Sequence, residues 1–402
     1  PGMRDDRAVS PRQAWTTAIL LWVTVSGLTA YEIAPASVLT LVARDLGVGS
    51  TAVSWLVSVF ILGMAVLSIP AGLLLDRVDN REAILLTAVL LLGTTVWAAL
   101  AGSRGMYWSL VAARLVGGGL NVILWTAAVN VVGTGFVRSR QGTGIGFLST
   151  SVPGGFALSH LLTPVLTRSI GWGHSFVVYG VLSMLAAGVF FVYTGRFDLR
   201  TSVTTPTRAE FLAVLRNRWV WALGAMAFVA FSLNLFFNNW LPTYLVDQFG
   251  FSLAQGGAFA AVFPAIGAVA RFLSGATSDR LLGGRRRPIV LASFVIVVPL
   301  IGFIAIVRGV ALLVLALLVA GFVTQMGLAL LLPFVRELVD ENVAGTALAV
   351  LNLVGFVGAF VTPVLTGFLI EWTGAYHLAF GYAAGLGVVG VVLSWLVPEP
   401  HS

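Results

Sequence analysis

The chain has 402 residues, of which 58% are hydrophobic and only 10% charged, against about 25% charged in an ordinary soluble domain. So few charges cannot cover a soluble protein of this length, and the absence of cysteine removes disulfides, thiolate metal sites and cysteine nucleophiles. A soluble enzyme, a disulfide scaffold and a disordered tail are poor readings. The net charge of +7, carried by 23 basic against 16 acidic residues, is spread over short loops and fits membrane topology better than nucleic-acid binding.

Twelve apolar segments follow in chain order: 15–42, 51–75, 82–102, 106–132, 141–167, 173–195, 219–246, 253–277, 288–307, 311–335, 343–370 and 375–397. Each is near or above the roughly 20 residues a spanning helix needs, and none has the short alternating pattern of a barrel strand. The expected fold is an all-α polytopic membrane protein with 12 transmembrane helices. Residues 1–14 form a polar tail, 15–195 a first six-helix bundle, 196–218 the longest polar interruption, 219–397 a second six-helix bundle, and 398–402 a short tail. Placing the N-terminus inside puts 17 arginines in inside segments and 4 in outside loops. That bias predicts a multi-pass protein of the cytoplasmic (inner) membrane with both termini and the linker in the cytoplasm.

The halves repeat one another. Gly72-x-x-x-Asp76-Arg77 follows span 2 and Gly275-x-x-x-Asp279-Arg280 follows span 8; Thr163-Pro164-Val165-Leu166-Thr167 ends span 5 and Thr362-Pro363-Val364-Leu365-Thr366 lies near the end of span 11. Two matches at nearly one offset indicate duplicated six-helix halves around a midplane cavity, a transporter architecture.

These residues carry a resemblance. The chain resembles the major facilitator superfamily over essentially its full length, through the loop motif G-x-L-x-D-R-x-G-R-[RK]. The first copy reads Gly72-Leu73-Leu74-Leu75-Asp76-Arg77-Val78-Asp79-Asn80-Arg81, with Asp79 in place of the usual Gly and Asn80 in place of the first basic residue. The second runs from Gly275 through Asp279 and Arg280 to the Arg285–Arg287 run, which reads as topological or lipid-facing. The resemblance implies a gate. Asp76 is expected at the start of span 11, near Val343–Gly345, and Asp279 at the start of span 5, near Gln141–Gly144. A helix N-terminus carries about half a positive charge and favours an anion there. Arg77, Arg81 and Arg280 are expected to orient these carboxylates or to fix topology.

Three charges fall inside spans: Glu32, Arg114 and Arg271. An ionisable group in the bilayer costs roughly 2.5–3.5 kcal/mol on insertion scales and usually marks a pathway. At the helical rise, Glu32 and Arg114 lie about 15 and about 12 Å from the outer surface. The two are expected to meet, either as a static buried pair or as one for which a proton or substrate competes. The stretch Arg114–Asn121 resembles span 4 of organic-anion members of the superfamily. Several of those have a Glu where this chain has Asn121, which leaves Glu32 as the favoured proton carrier. Arg271, about 12 Å from the inner end of span 8, lies in a stretch similar to anion and monocarboxylate carriers, as does Asn239-Trp240-Leu241-Pro242-Thr243-Tyr244-Leu245. Its planar donor fork matches a carboxylate; it is expected to bind an anion, or else backbone carbonyls or the inner loop.

A competing resemblance is to drug/proton antiporters, carried by Thr29-Ala30-Tyr31-Glu32-Ile33-Ala34-Pro35 and, in part, by Val152-Pro153-Gly154-Gly155-Phe156 in span 5. A Gly/Pro-rich span equally suits close packing. Tyr31, Asn121, Trp125, Asn234, Asn238, Gln325 and Asn352 are candidate substrate contacts, with Asn130 and Asn239 beside them. His160 is a second candidate proton site, because a lone histidine titrates near neutrality. There is no nucleotide loop after Gly117-Gly118-Gly119 and no metal-ligand spacing among the histidines. The expected function is alternating-access secondary transport of a small organic anion, driven by protons or another coupling ion. No cofactor and no nucleic-acid partner are expected, and the working unit is expected to be a monomer. The alternatives are drug or cationic-metabolite efflux and, last, a receptor or channel on the same fold.

Overall fold

The computed structural model describes residues 10–75, 77–137, 140–195, 208–340 and 343–399, with the side chains of 208–211, 279 and 281 left aside. These residues form α1 (Pro11–Ser37), α2 (Leu39–Leu46), α3 (Ser50–Leu75), α4 (Asn80–Ser103), α5 (Tyr107–Gly135), α6 (Gln141–Ser149), α7 (Ser151–Ile170), α8 (Trp172–Tyr193), α9 (Arg208–Arg216), α10 (Arg218–Phe249), α11 (Leu253–Leu281), α12 (Arg287–Ile306), α13 (Val310–Glu337), α14 (Ala344–Thr373) and α15 (His377–Leu396). Twelve apolar helices are long enough to cross a membrane, α6 and α7 counting as one span, and the described residues contain no strand.

Two expected boundaries shift. Span 1 ends at Ser37 rather than 42, because Pro35 sits in its last turn and Val38 leaves the helix at φ −141°. The short α2 follows. Span 5 is divided at Thr150, where α6 gives way to α7. The polar linker holds α9.

The first helix of each half is central. Every residue of α1 from Thr24 to Ser37 is buried, as is every residue of α10 from Ser232 to Leu245. A helix sheathed on all sides shows no amphipathic stripe, so the sequence alone does not say which span is innermost. Across the halves, α3 packs on α14 and α7 on α11, so that the second span of each half meets the fifth span of the other. Within the first half, α3 and α5 cross at glycines: a Cβ on Gly118 would fall 1.7 Å from the carbonyl oxygen of Phe60. The Gly117–Gly119 run is therefore a close helix crossing. Gly155 does the same for α7 on α1, where a Cβ would lie 2.0 Å from Thr29 Oγ1.

The two ends of the molecule differ. At the end away from the linker, a Cβ on Gly257 of α11 would lie 2.2 Å from the carbonyl oxygen of His160 in α7. At the linker end, added Cβ atoms on Gly72, Gly142, Gly275 and Gly345 would have nothing within 4 Å. Ile33, Ala36, Val57, Ile61, Phe156, Leu235 and Ala359, drawn from both halves, form a buried apolar plug at mid-depth. The halves thus touch at the far end, while these glycines at the linker end have open space beside them.

Candidate functional site

Arg114 and Glu32 do meet, but not as an ion pair. Pro35 has no N–H, so the carbonyl of Tyr31, four residues earlier, has no helical donor. Arg114 Nη1 donates to that oxygen at 2.7 Å, Nε donates to the carbonyl of Leu56 at 2.8 Å, and Nη2 donates to the carbonyl of Glu32. The guanidinium also lies against the rings of Tyr31 and Phe60, 4.6 Å from each centroid. Arg114 is 0% exposed. Expected as a substrate-binding group, it is instead a bolt joining α1, α3 and α5.

Glu32 keeps its carboxylate free of that bolt. Asn121 Nδ2 donates to Glu32 Oε2 at 3.1 Å. The residue that stands where several organic-anion carriers have an acid therefore holds this acid in place. From the other half, Arg271 of α11 donates through Nε to Gln325 Oε1 at 2.7 Å and through Nη1 to the carbonyl of Ser149 at 3.3 Å. Gln325 Nε2 donates to Asn234 Oδ1 at 2.7 Å, and Asn238 Nδ2 donates to the same oxygen at 3.0 Å. This amide chain runs through α13 and α10 and fixes the Arg271 fork. Gln325, Asn234 and Asn238 are buried, so here they support Arg271 rather than line an open surface. Arg271 itself is half-buried.

Glu32 of α1 and Arg271 of α11 belong to opposite halves, and no salt bridge joins them among the described residues. Trp125 and Asn352 are half-buried on α5 and α14. Tyr31 is fully buried, its ring spent on Arg114. Asn130 lies apart and donates to Asn80 Oδ1 at 3.2 Å. His160 belongs to the far end: it is 0% exposed and its Nδ1 is 2.9 Å from Ser37 Oγ. The sequence brought Glu32 and Arg271 into view as charges in spans. It missed the Ser149 carbonyl, which carries no side-chain signal.

The gate motifs are described in part. Asp76 lies outside the described residues, as does the side chain of Asp279. Arg77 and Arg280 are exposed. Arg81 donates through Nε to the carbonyl of Phe191 at 2.9 Å and stacks on that ring at 3.8 Å, which ties α4 to α8. The Arg285–Arg287 run is not simply lipid-facing. Arg286 Nη2 meets Glu337 Oε1 at 3.0 Å, and Arg287 Nε donates to the carbonyl of Ser394 at 3.0 Å. Glu399 accepts the backbone N–H of Arg286 at 2.6 Å and so caps the start of α12.

A buried acid and a fixed arginine, one from each six-helix half of a twelve-span bundle, are the kind of intramembrane charges that mark a solute pathway. The Major Facilitator Superfamily model matches residues 19–363 and 284–402, and the chain belongs to that family of secondary transporters. It is 24% identical over 424 residues to a probable L-galactonate transporter of Escherichia coli strain K12, covering 98% of this chain and 92% of that protein. It is 24% identical to a hexuronate transporter of Bacillus subtilis strain 168, covering 86% and 85%. It is 22% identical to a nitrite extrusion protein of the same organism, covering 93% and 89%. Among solved structures, a bacterial homologue of the human lysosomal transporter Spinster, inward-facing and unoccupied, matches with a TM-score of 0.78 at 15% identity, covering 96% of this chain and 97% of that one.

Proposed function

We propose that this chain is a proton-coupled carrier of a small organic anion, with Arg271 as the anion contact and Glu32 as the proton carrier. The observation that carries this reading is the placement of Arg271. Its Nε is held by Gln325 Oε1, and the acid within a span, Glu32, comes from the other half. Among the described residues of its own half the acids, Asp247, Asp279, Glu337, Asp340, Glu371 and Glu399, lie at helix ends or in loops. A substrate carboxylate at Arg271 would stand beside Glu32, and two like charges in one desolvated site repel. Protonating Glu32 removes that repulsion, so anion and proton bind together. Arg271 also disfavours a cationic drug, which weakens the efflux reading. The named substrates of the relatives, galactonate, hexuronate and galactarate or glucarate, give the first panel of solutes.

The arginine bias assigns the linker end to the cytoplasm, which makes this conformation inward-facing. Asp76 and Asp279 then act at the open end as latches of the opposite, outward-facing state, with Gly72 and Gly275 giving the helices room. One chain supplies both halves of the site, so the working unit is a monomer in the cytoplasmic membrane.

Flux into proteoliposomes tests the reading. Uptake of a sugar acid should rise as external pH falls. Arg271→Lys should weaken anion binding at least tenfold, because the ammonium cannot reproduce the fork. Glu32→Gln, which mimics the protonated acid, should lose proton-driven accumulation but retain exchange. Wild-type affinity in Arg271→Lys, or unchanged pH-driven accumulation in Glu32→Gln, overturns the assignment of that residue.

A further inference from the structure

At the far end one carboxylate joins the two halves. Glu371, in the last turn of α14, accepts a hydrogen bond from the backbone N–H of Thr51 at 2.8 Å and another from the Thr51 hydroxyl at 2.6 Å. Thr51 is the second residue of α3, so its N–H is one of the four that a helix start leaves unsatisfied, and the helix dipole there favours an anion. The main chain on both sides leaves room for this contact. A Cβ on Gly49 would lie 2.4 Å from Glu371 Oε1, and one on Gly367, a turn earlier in α14, would lie 2.9 Å from the carbonyl oxygen of Ser50.

We propose that Glu371 is a latch that holds the far end of the transporter shut, distinct from the repeated loop motif at the linker end. The two latches would use the same pair of helices in opposite senses. The loop motif is expected to bring the carboxylate that follows α3 to the start of α14; Glu371 places a carboxylate at the end of α14 on the start of α3. Rocking the halves about the mid-depth plug brings α3 and α14 together at one end as it parts them at the other. In this conformation the Glu371 latch is closed, and the surroundings of Gly72 and Gly345 at the linker ends of the two helices are open. Glu371 therefore sets the resting ratio of the two states without touching the solute.

The absence of cysteine gives a clean background for the test. Nitroxides on Arg104→Cys and Gln248→Cys, exposed at the far end of each half, report its opening by electron-electron double resonance in nanodiscs. Glu371→Ala, Thr51→Val and Gly49→Ala should each shift the open-to-closed ratio toward open, on the order of fivefold for Glu371→Ala. Adding Thr51→Val to Glu371→Ala should change little more, since both remove one contact. Glu82→Gln, an exposed acid on α4, should leave the ratio at the wild-type value. The latch is overturned if Glu371→Ala and Thr51→Val keep the wild-type ratio, if their effects add in the double variant, or if Glu82→Gln shifts it equally.

Discussion

Arg114 supplies the hydrogen bond that Pro35 takes away. The proline leaves the carbonyl of Tyr31 without its helical donor, and Arg114 Nη1 reaches that oxygen at 2.7 Å from a different helix. A break in α1 and a buried charge in α5, each costly alone, satisfy one another in one place. The role of Arg114 is thus architectural, and its removal should be read first as a loss of stability.

Arg114→Lys keeps a charge but only one compact donor group for three carbonyls. It should lower the stability of the purified protein by about 2 kcal/mol or more, since a buried acceptor left unmade costs about 1–3 kcal/mol. Thermal melting in detergent measures this. An unchanged melting temperature combined with lost transport would instead place Arg114 in the substrate path.

Gln325 positions Arg271 by accepting from its Nε. Gln325→Glu would put a carboxylate beside the guanidinium and neutralise the charge that the anion is expected to seek. Substrate affinity should fall at least tenfold, and Gln325→Met should lose less because the arginine stays unpaired. Equilibrium binding of a radiolabelled sugar acid separates the two. Equal losses would mean that Gln325 acts by packing alone.

Gly118 and Gly119 are adjacent, yet their substitution should differ. A Cβ on Gly118 meets the main-chain oxygen of Phe60 at 1.7 Å, whereas one on Gly119 meets the flexible end of Leu67 at 2.5 Å. Overpacking costs typically 1–3 kcal/mol. Gly118→Ala should sit at or above the top of that range and Gly119→Ala near the bottom, as read from melting temperature and from the monodisperse fraction on size exclusion.

Glu399 caps α12 through the N–H of Arg286. Glu399→Ala should cost about 1 kcal/mol and should raise amide exchange in residues 396–399 and in the first turn of α12. Exchange unchanged in both segments would show that the cap does not hold the tail.

Composition and apolar periodicity made the twelve spans and the duplicated halves legible, because lipid imposes a length and a polarity that few residues violate. Glu32 and Arg271 were legible for the same reason, as charges where charge is expensive. What the sequence hid was the partner of each charge. The Arg114 bonds go to main-chain oxygens of Leu56, Tyr31 and Glu32, and one of the Arg271 bonds goes to the carbonyl of Ser149. Backbone acceptors are present at every residue, so no letter in the sequence marks the ones that are used. The partner of His160 was hidden too: its Nδ1 lies 2.9 Å from Ser37 Oγ of α1, and nothing in the sequence around either residue marks that pairing.

The bolt in α5 also separates two kinds of change that evolution can make. Arg114 reads residues 31, 32 and 56 by their main chain, so the fold makes little demand on which side chain stands at position 32. An acid can be gained, lost or exchanged there without unfastening the bundle. With Glu32 as the proposed proton carrier, a lineage built on this bundle would be free to switch between coupled and uncoupled transport by a single substitution, while its architecture stays as it was.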